Sequence, residues 1–192
     1  MYNEIKLTEM KGLIFQTYID YLVTSYGEEL KDFILRDANA GDRESYDAMG
    51  TYPFSSLSAV VGQTHKHTEI SVSDVLESYG HYLFSILATS YAKYLGEGID
   101  LFGFLESLED HVHVHVNQQF PDASLPSFTY ERIDEDNLKM IYESERAMAD
   151  FGIGMIKGSA EHFGKQVEIS KKDLTIEQDG KEVELWVKII HD

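Results

Sequence analysis

The chain has 192 residues, no cysteine, and a formal charge of −18 from 16 basic and 34 acidic side chains. Its length and 43% hydrophobic content suit one domain, or one domain built from two lobes, with enough apolar residues for a real core. So negative a surface repels nucleic acid and anionic lipid at long range. The missing cysteines remove disulfides, thiolate zinc sites, iron–sulfur clusters and cysteine nucleophiles together. No apolar run approaches the roughly 20 residues that span a bilayer, and the acidic amino terminus lacks a signal-peptide pattern. The expectation is a soluble cytoplasmic protein.

From Met10 to about Leu35 the periodicity predicts helix, with Ile14, Tyr18 and Tyr21/Leu22 on one stripe and Gly27 as a break. Asp37–Thr51 is rich in Gly, Asp, Asn and Ser and reads as a loop, and Phe54–Gln63 is helical again. The pair in Thr64-His65-Lys66-His67 reads as exposed loop. Ser71-Val72-Ser73-Asp74 then supplies N-cap residues for a long helical region through Tyr94, ended by Gly96 and Gly98. Asp100 caps another helix, with Leu101, Phe104, Leu105, Leu108 and Val112 on one stripe. Beyond Pro126 the period changes. Phe128–Ile133 and Leu138–Tyr142 read as strands around a polar turn, and Ala147–Phe163 as a helix with Gly152, Gly154 and Gly158 allowing close approach. Gln166–Ile176 and the alternating Val183, Leu185, Val187 and Ile189 form a strand–turn–strand pattern about Asp179-Gly180. A helical first half and a mixed, antiparallel second half is the α+β class.

The unusual local feature is Glu109-Asp110-His111-Val112-His113-Val114-His115-Val116. As a strand it would present three histidines on one face, suited to zinc or iron. The apolar stripe from Leu101 through Val112 continues into it at helical spacing, so the segment is predicted helical. That leaves either one inward-facing histidine or a solvent-facing pair, His111 and His115.

A proline at position 126 lies thirteen residues after His113, and Tyr142-Glu143-Ser144-Glu145-Arg146 follows. Together with Met10-Lys11-Gly12-Leu13-Ile14, Ser25-Tyr26-Gly27 and Gly154-Met155-Ile156-Lys157-Gly158, this pattern resembles the H-NOX family of haem nitric oxide/oxygen-binding domains, related to the haem domain of soluble guanylate cyclase. The resemblance covers roughly residues 10–190 and implies one domain over 1–192. It implies a helical distal lobe (10–65), a haem-binding lobe (66–192) with the proximal helix at about 101–119 and C-terminal antiparallel strands, and haem b buried between the lobes. Residues 1–9 would be an extension of unassigned role. By resemblance His113 is the proximal iron ligand, and Tyr142, Ser144 and Arg146 hold the haem propionates. On a strand, positions i, i+2 and i+4 share a face, which would account for the spacing of those three. Pro126 would press on the porphyrin edge and distort it.

The distal pocket implied by the resemblance is Ile14, Tyr18, Leu83, Leu87, Phe151 and Met155. Oxygen-binding members carry a tyrosine where Phe151 stands, so nitric oxide and carbon monoxide are the expected ligands and oxygen is discriminated against. The alternative is an oxygen sensor using Tyr18 as donor. Nothing catalytic is expected. The signal would pass to a separate protein, in bacterial relatives a histidine kinase or diguanylate cyclase, by weakening of the iron–His113 bond, haem relaxation and movement of the Leu101–Gln119 helix. The rival readings are a non-haem histidine metal-binding protein using His111 and His115 with Glu109 or Asp110, a haem enzyme, and an interaction domain without cofactor.

Overall fold

The computed structural model describes residues 9–90, 98–177 and 179–191. The first eight residues of the anticipated extension, and the end of the long helical region around Tyr94 and Gly96, lie outside them. The chain opens with a short strand, β1 (Glu9–Lys11), followed directly by α1 (Gly12–Tyr26) and α2 (Glu28–Asp37). Gly27 divides these helices as its position predicts. At φ 85° it occupies backbone space that side-chain-bearing residues avoid, and its N–H closes α1 on the Val23 carbonyl at 2.9 Å. After a single 3₁₀ turn at Arg43–Ser45, β2 (Thr51–Pro53) returns antiparallel to β1, with Met10 opposite Tyr52. This two-stranded ribbon is not signalled by the loop-like composition of residues 37–51.

The next helix, α3 (Phe54–Thr68), runs past Gln63, so His65, Lys66 and His67 are helical and not loop. The physical reason lies at its end. Glu69 takes the left-handed conformation (φ 60°), and its N–H bonds the His65 carbonyl at 2.8 Å. Basic side chains in a last turn also sit well against the negative end of the helix dipole. Helix α4 (Val72–Ser90) starts as its sequence predicts, with Ser71 Oγ accepting the Asp74 N–H at 3.1 Å.

Asp100 caps α5 (Leu101–Glu106) through the Gly103 N–H at 2.6 Å. The segment then widens into a π-helical turn, Leu108–His113, before resuming as α6 (Val114–Gln119). The second half is a four-stranded antiparallel sheet of β3 (Ser127–Arg132), β4 (Asn137–Glu143), β5 (Gln166–Asp173) and β6 (Glu182–Ile190), in the order β3-β4-β6-β5. Helix α7 (Ala149–His162) lies between β4 and β5 in the chain. Leu138, Met140 and Tyr142 of β4 and Val183, Leu185, Val187 and Ile189 of β6 alternate inward, the period-2 pattern expected of a half-buried sheet.

Two apolar clusters result. One gathers α1, α2, α3 and the first part of α4, from Phe15 to Leu83. The other gathers the sheet, α5 and α7 with Phe84. Helices α4 and α7 meet backbone to backbone, because Gly80, Gly154 and Gly158 put no side chain between them.

Candidate functional site

The residues singled out by the sequence fall into three groups, built by different elements. The first is on the π turn. Of the three clustered histidines, His111 is exposed and His113 is turned in, its side chain 15% accessible. Its Nδ1 lies 3.1 Å from Glu109 Oε1, one helical turn back. A carboxylate oxygen only accepts, so the shared proton belongs to Nδ1, and Nε2 is left with a free lone pair. Burial holds this imidazole below its ordinary pKa, while the Glu109 charge works in the opposite sense. At neutral pH the ring is therefore uncharged, as a metal ligand must be. The same Glu109 oxygen accepts the Phe128 amide N–H at 2.9 Å, and the Phe128 ring sits 6.0 Å from that of His113.

The second group is at the end of β4. Tyr142 is buried, edge-on to Phe128 at 5.6 Å, and its oxygen accepts the Met148 N–H at 3.0 Å. The strand stops at Glu143, so Ser144 and Arg146 do not share a strand face with Tyr142. They lie in a turn closed by the Ala147 N–H on the Ser144 carbonyl at 3.1 Å, with Ala147 at φ 52°. The turn still holds Ser144 and Arg146 together, since Ser144 Oγ accepts the Arg146 N–H at 3.3 Å. The Arg146 guanidinium reaches two backbone carbonyls, Glu9 at 3.0 Å and Ser124. Burial works against its charge, and among the described residues no carboxylate pairs with it. A partly buried cation bonded only to neutral carbonyls is suited to an anionic ligand group. Ser124 is two residues before Pro126, so this contact ties the turn holding Ser144 and Arg146 to the loop carrying that proline.

The third group borders the helical cluster. Ile14, Leu87, Phe151 and Met155 are only partly buried although apolar, while Leu83 is fully inside. Met155 packs against both clusters. Tyr18 is 1% exposed, and its hydroxyl lies 2.9 Å from Thr64 Oγ1. Thr64 donates to the Val60 carbonyl, so the Tyr18 proton goes to Thr64. Tyr79, which sequence reasoning did not pick out, stands 5.3 Å from the Phe151 ring and 4.9 Å from that of Tyr18. It donates to the Ile14 carbonyl at 2.8 Å.

Among the described residues no group of three or more histidine, cysteine or acidic side chains is arranged to hold a metal ion. A surface groove of about 980 Å³ lies between the end of α1, α4 and α7 but contains none of the residues above. Its charged walls are satisfied by Lys157–Glu77 at 2.5 Å and His81–Glu161 at 2.7 Å. Among the described residues no helix is long and apolar enough to cross a membrane.

Taken together, the geometry supplies a neutral imidazole with a free nitrogen, a guanidinium without a counter-ion among the described residues, and apolar side chains left partly open. Those features fit a flat apolar group that carries a metal and carboxylates. The haem-NO-binding family model matches residues 11–171. No curated protein matches the chain. Among solved structures, the Fe(II) unliganded H-NOX protein from K. algicida is 34% identical, with a TM-score of 0.85 over 95% of this chain and 98% of that one. A single-site mutant of that protein superposes with a TM-score of 0.87 at the same identity and coverage. An H-NOX protein from S. oneidensis in the Fe(II)NO state, 23% identical, has a TM-score of 0.84 over 95% of this chain and all of that one, and shares the fold.

Proposed function

Because the chain belongs to the haem-NO-binding, or H-NOX, family, we propose that it is a haem-based gas sensor, not an enzyme, that binds nitric oxide and carbon monoxide and discriminates against oxygen. Haem b, when bound, would supply a ferrous iron able to take up a diatomic gas. His113 would hold the iron through Nε2. Tyr142, Ser144 and Arg146 would hold the propionates, the guanidinium supplying the charge that its neighbours lack. Pro126 would bear on the porphyrin rim. Residues 10–65 would form the distal lobe, and residues 66–192 the haem-binding lobe.

One observation carries the choice of gas. Tyr79, whose ring is 5.3 Å from that of Phe151, spends its proton on the Ile14 carbonyl, and Tyr18, packed against Tyr79, spends its own on Thr64. Phe151 itself has no hydroxyl. Bound dioxygen gains from a hydrogen-bond donor far more than nitric oxide does, so a wall of this kind favours the latter. The donor state of Tyr18 also weighs against the alternative in which Tyr18 stabilises oxygen. In this reading the signal would start at His113, whose hold nitric oxide would loosen. The 101–119 segment then shifts, and a separate cytoplasmic partner, a histidine kinase or a diguanylate cyclase, reads the movement.

Absorption spectra of the ferrous protein test this. The expected result is a Soret band that moves with nitric oxide and with carbon monoxide, and not on exposure to air. Phe151→Tyr should gain an oxygen complex. A stable oxygen complex in the unaltered protein would overturn the selectivity, and the lack of any Soret band after haem addition would overturn the haem reading.

A further inference from the structure

We propose that Glu109 is a positioning residue for His113 and the link through which the state of that histidine reaches the sheet. The inference rests on His113 as the proximal ligand, but its structural basis is independent of haem. A single carboxylate oxygen, Glu109 Oε1, accepts from His113 Nδ1 at 3.1 Å and from the Phe128 backbone N–H at 2.9 Å. The acceptor fixes the Nδ1–H tautomer and the ring plane, so Nε2 presents its lone pair in one direction. A carboxylate on the far nitrogen of a metal-bound imidazole also raises the basicity of the ligating nitrogen and stiffens its bond. Both partners are largely withdrawn from water, with side chains 15% and 33% accessible, so solvent screens the effect only in part.

The second acceptance gives the arrangement its reach. Phe128 belongs to β3 and pairs in register with Tyr142 of β4. Any displacement of the His113 ring must either break the bond to Glu109 or draw Glu109 with it. Drawing Glu109 loads the Phe128 amide. Phe128 is also in ring contact with both His113 and Tyr142, so the path ends at the residue that opens the motif containing Arg146. One carboxylate oxygen thus hydrogen-bonds both the π turn and β3, alongside the ring contact between them.

The test compares the haem-loaded ferrous protein with Glu109→Gln and Glu109→Ala by resonance Raman spectroscopy and redox titration. Glu109→Ala should shift the iron–histidine stretch to lower frequency, raise the midpoint potential, and increase the fraction of nitric oxide complex that is five-coordinate. Glu109→Gln keeps an acceptor oxygen but not the charge, so it should give smaller shifts of the same sign. Unchanged stretch and potential in both variants, with intact Soret bands, would overturn the proposal while leaving the haem reading in place. If Glu109→Ala does not fold, Glu109→Gln alone decides. If the protein takes up no haem, ¹⁵N NMR of the His113 ring is the readout. An Nδ1–H tautomer in the unaltered chain that becomes mixed in the variants supports the positioning role, and a mixed tautomer from the start refutes it.

Discussion

Gly154→Ala probes the close approach of α4 and α7. A Cβ built at Gly154 would stand 2.8 Å from the Glu77 carbonyl carbon and 2.9 Å from the His81 amide nitrogen, and closer still to the Glu77 oxygen. Ordinary contact begins at 3.4 Å, so clearing the Glu77 oxygen makes α4 and α7 part by more than the 0.6 Å that the carbonyl carbon alone would require, and these obstacles are backbone that cannot rotate away. In an unobstructed helix the same change would stabilise by about 1 kcal/mol. Overpacking of a well-filled contact costs about 1–3 kcal/mol. A clash against main chain belongs at the upper end, so the net expectation is a loss of about 2 kcal/mol. Gly62→Ala in α3 is the control, because its Cβ would meet nothing within 4 Å. It should gain about 0.5–1 kcal/mol. Urea unfolding at constant m-value separates the two. Equal gains in both variants would refute the close-contact account of the α4–α7 interface.

Other outcomes follow from charges. Arg146→Leu removes the only cation of its motif, and with charge-assisted hydrogen bonds worth about 1.5–3 kcal/mol, haem should be held about 10–100-fold more weakly. Transfer of haem to an acceptor protein measures this, and unchanged retention would remove Arg146 from the propionate site. Lys31, only 7% exposed, is ringed by Glu28, Asp32 and Asp42 at 3.1, 2.8 and 3.1 Å. Because the three carboxylates are mostly exposed and screened, Lys31→Met should cost about 1–2 kcal/mol, with a smaller penalty in high salt; a salt-independent loss would point to packing instead. The Arg43 backbone N–H, followed by Lys31, holds the Asp42 carboxyl below the usual range. Between that lowered value and the ordinary one near 4, the unfolded chain binds the extra proton. The stabilisation is thus complete above about pH 4 and lost as the pH falls through the folded value. Asp42→Asn should flatten the stability curve only in that acid window, which a series of acid denaturations would reveal.

Where sequence and structure part company, non-local pairing or local geometry explains it. Helices with a continuous stripe or a strong cap, such as α4 with Ser71 and α5 with Asp100, were legible because their signals are local. The β5–β6 hairpin was legible from alternation about Asp179-Gly180. The β1–β2 ribbon was not, since three-residue strands joined across forty residues leave no period to read. The helical stripe leaves open one inward-facing histidine or the pair His111 and His115, and it is the resemblance that names His113, whose side chain the structure turns in. The π turn beneath it left no trace in the periodicity. Tyr142, Ser144 and Arg146 were found by a motif, whereas the account of them as one strand face fails at Glu143, where the ladder ends. In the sequence Glu109 stands out only as a companion to His111 and His115. Its spacing of four from His113 was the available signal, but the Phe128 amide that completes its role comes from another element. Tyr79 was hidden for a similar reason: one tyrosine among twelve, it gains significance only when α1 and α7 close around it.

Helix α4 is a common wall. Val75, Tyr79 and Leu83 face one apolar cluster, and the very next residue, Phe84, faces the other. Neither half can melt by itself, because losing either set of neighbours strips one side of a helix on which the remaining half depends. Heat or denaturant should therefore take the whole chain apart in a single cooperative step, with tyrosine fluorescence from the helical half and Trp186 fluorescence from the sheet changing together. In such a molecule, strain set up in one half has nowhere to be absorbed locally and must be felt in the other.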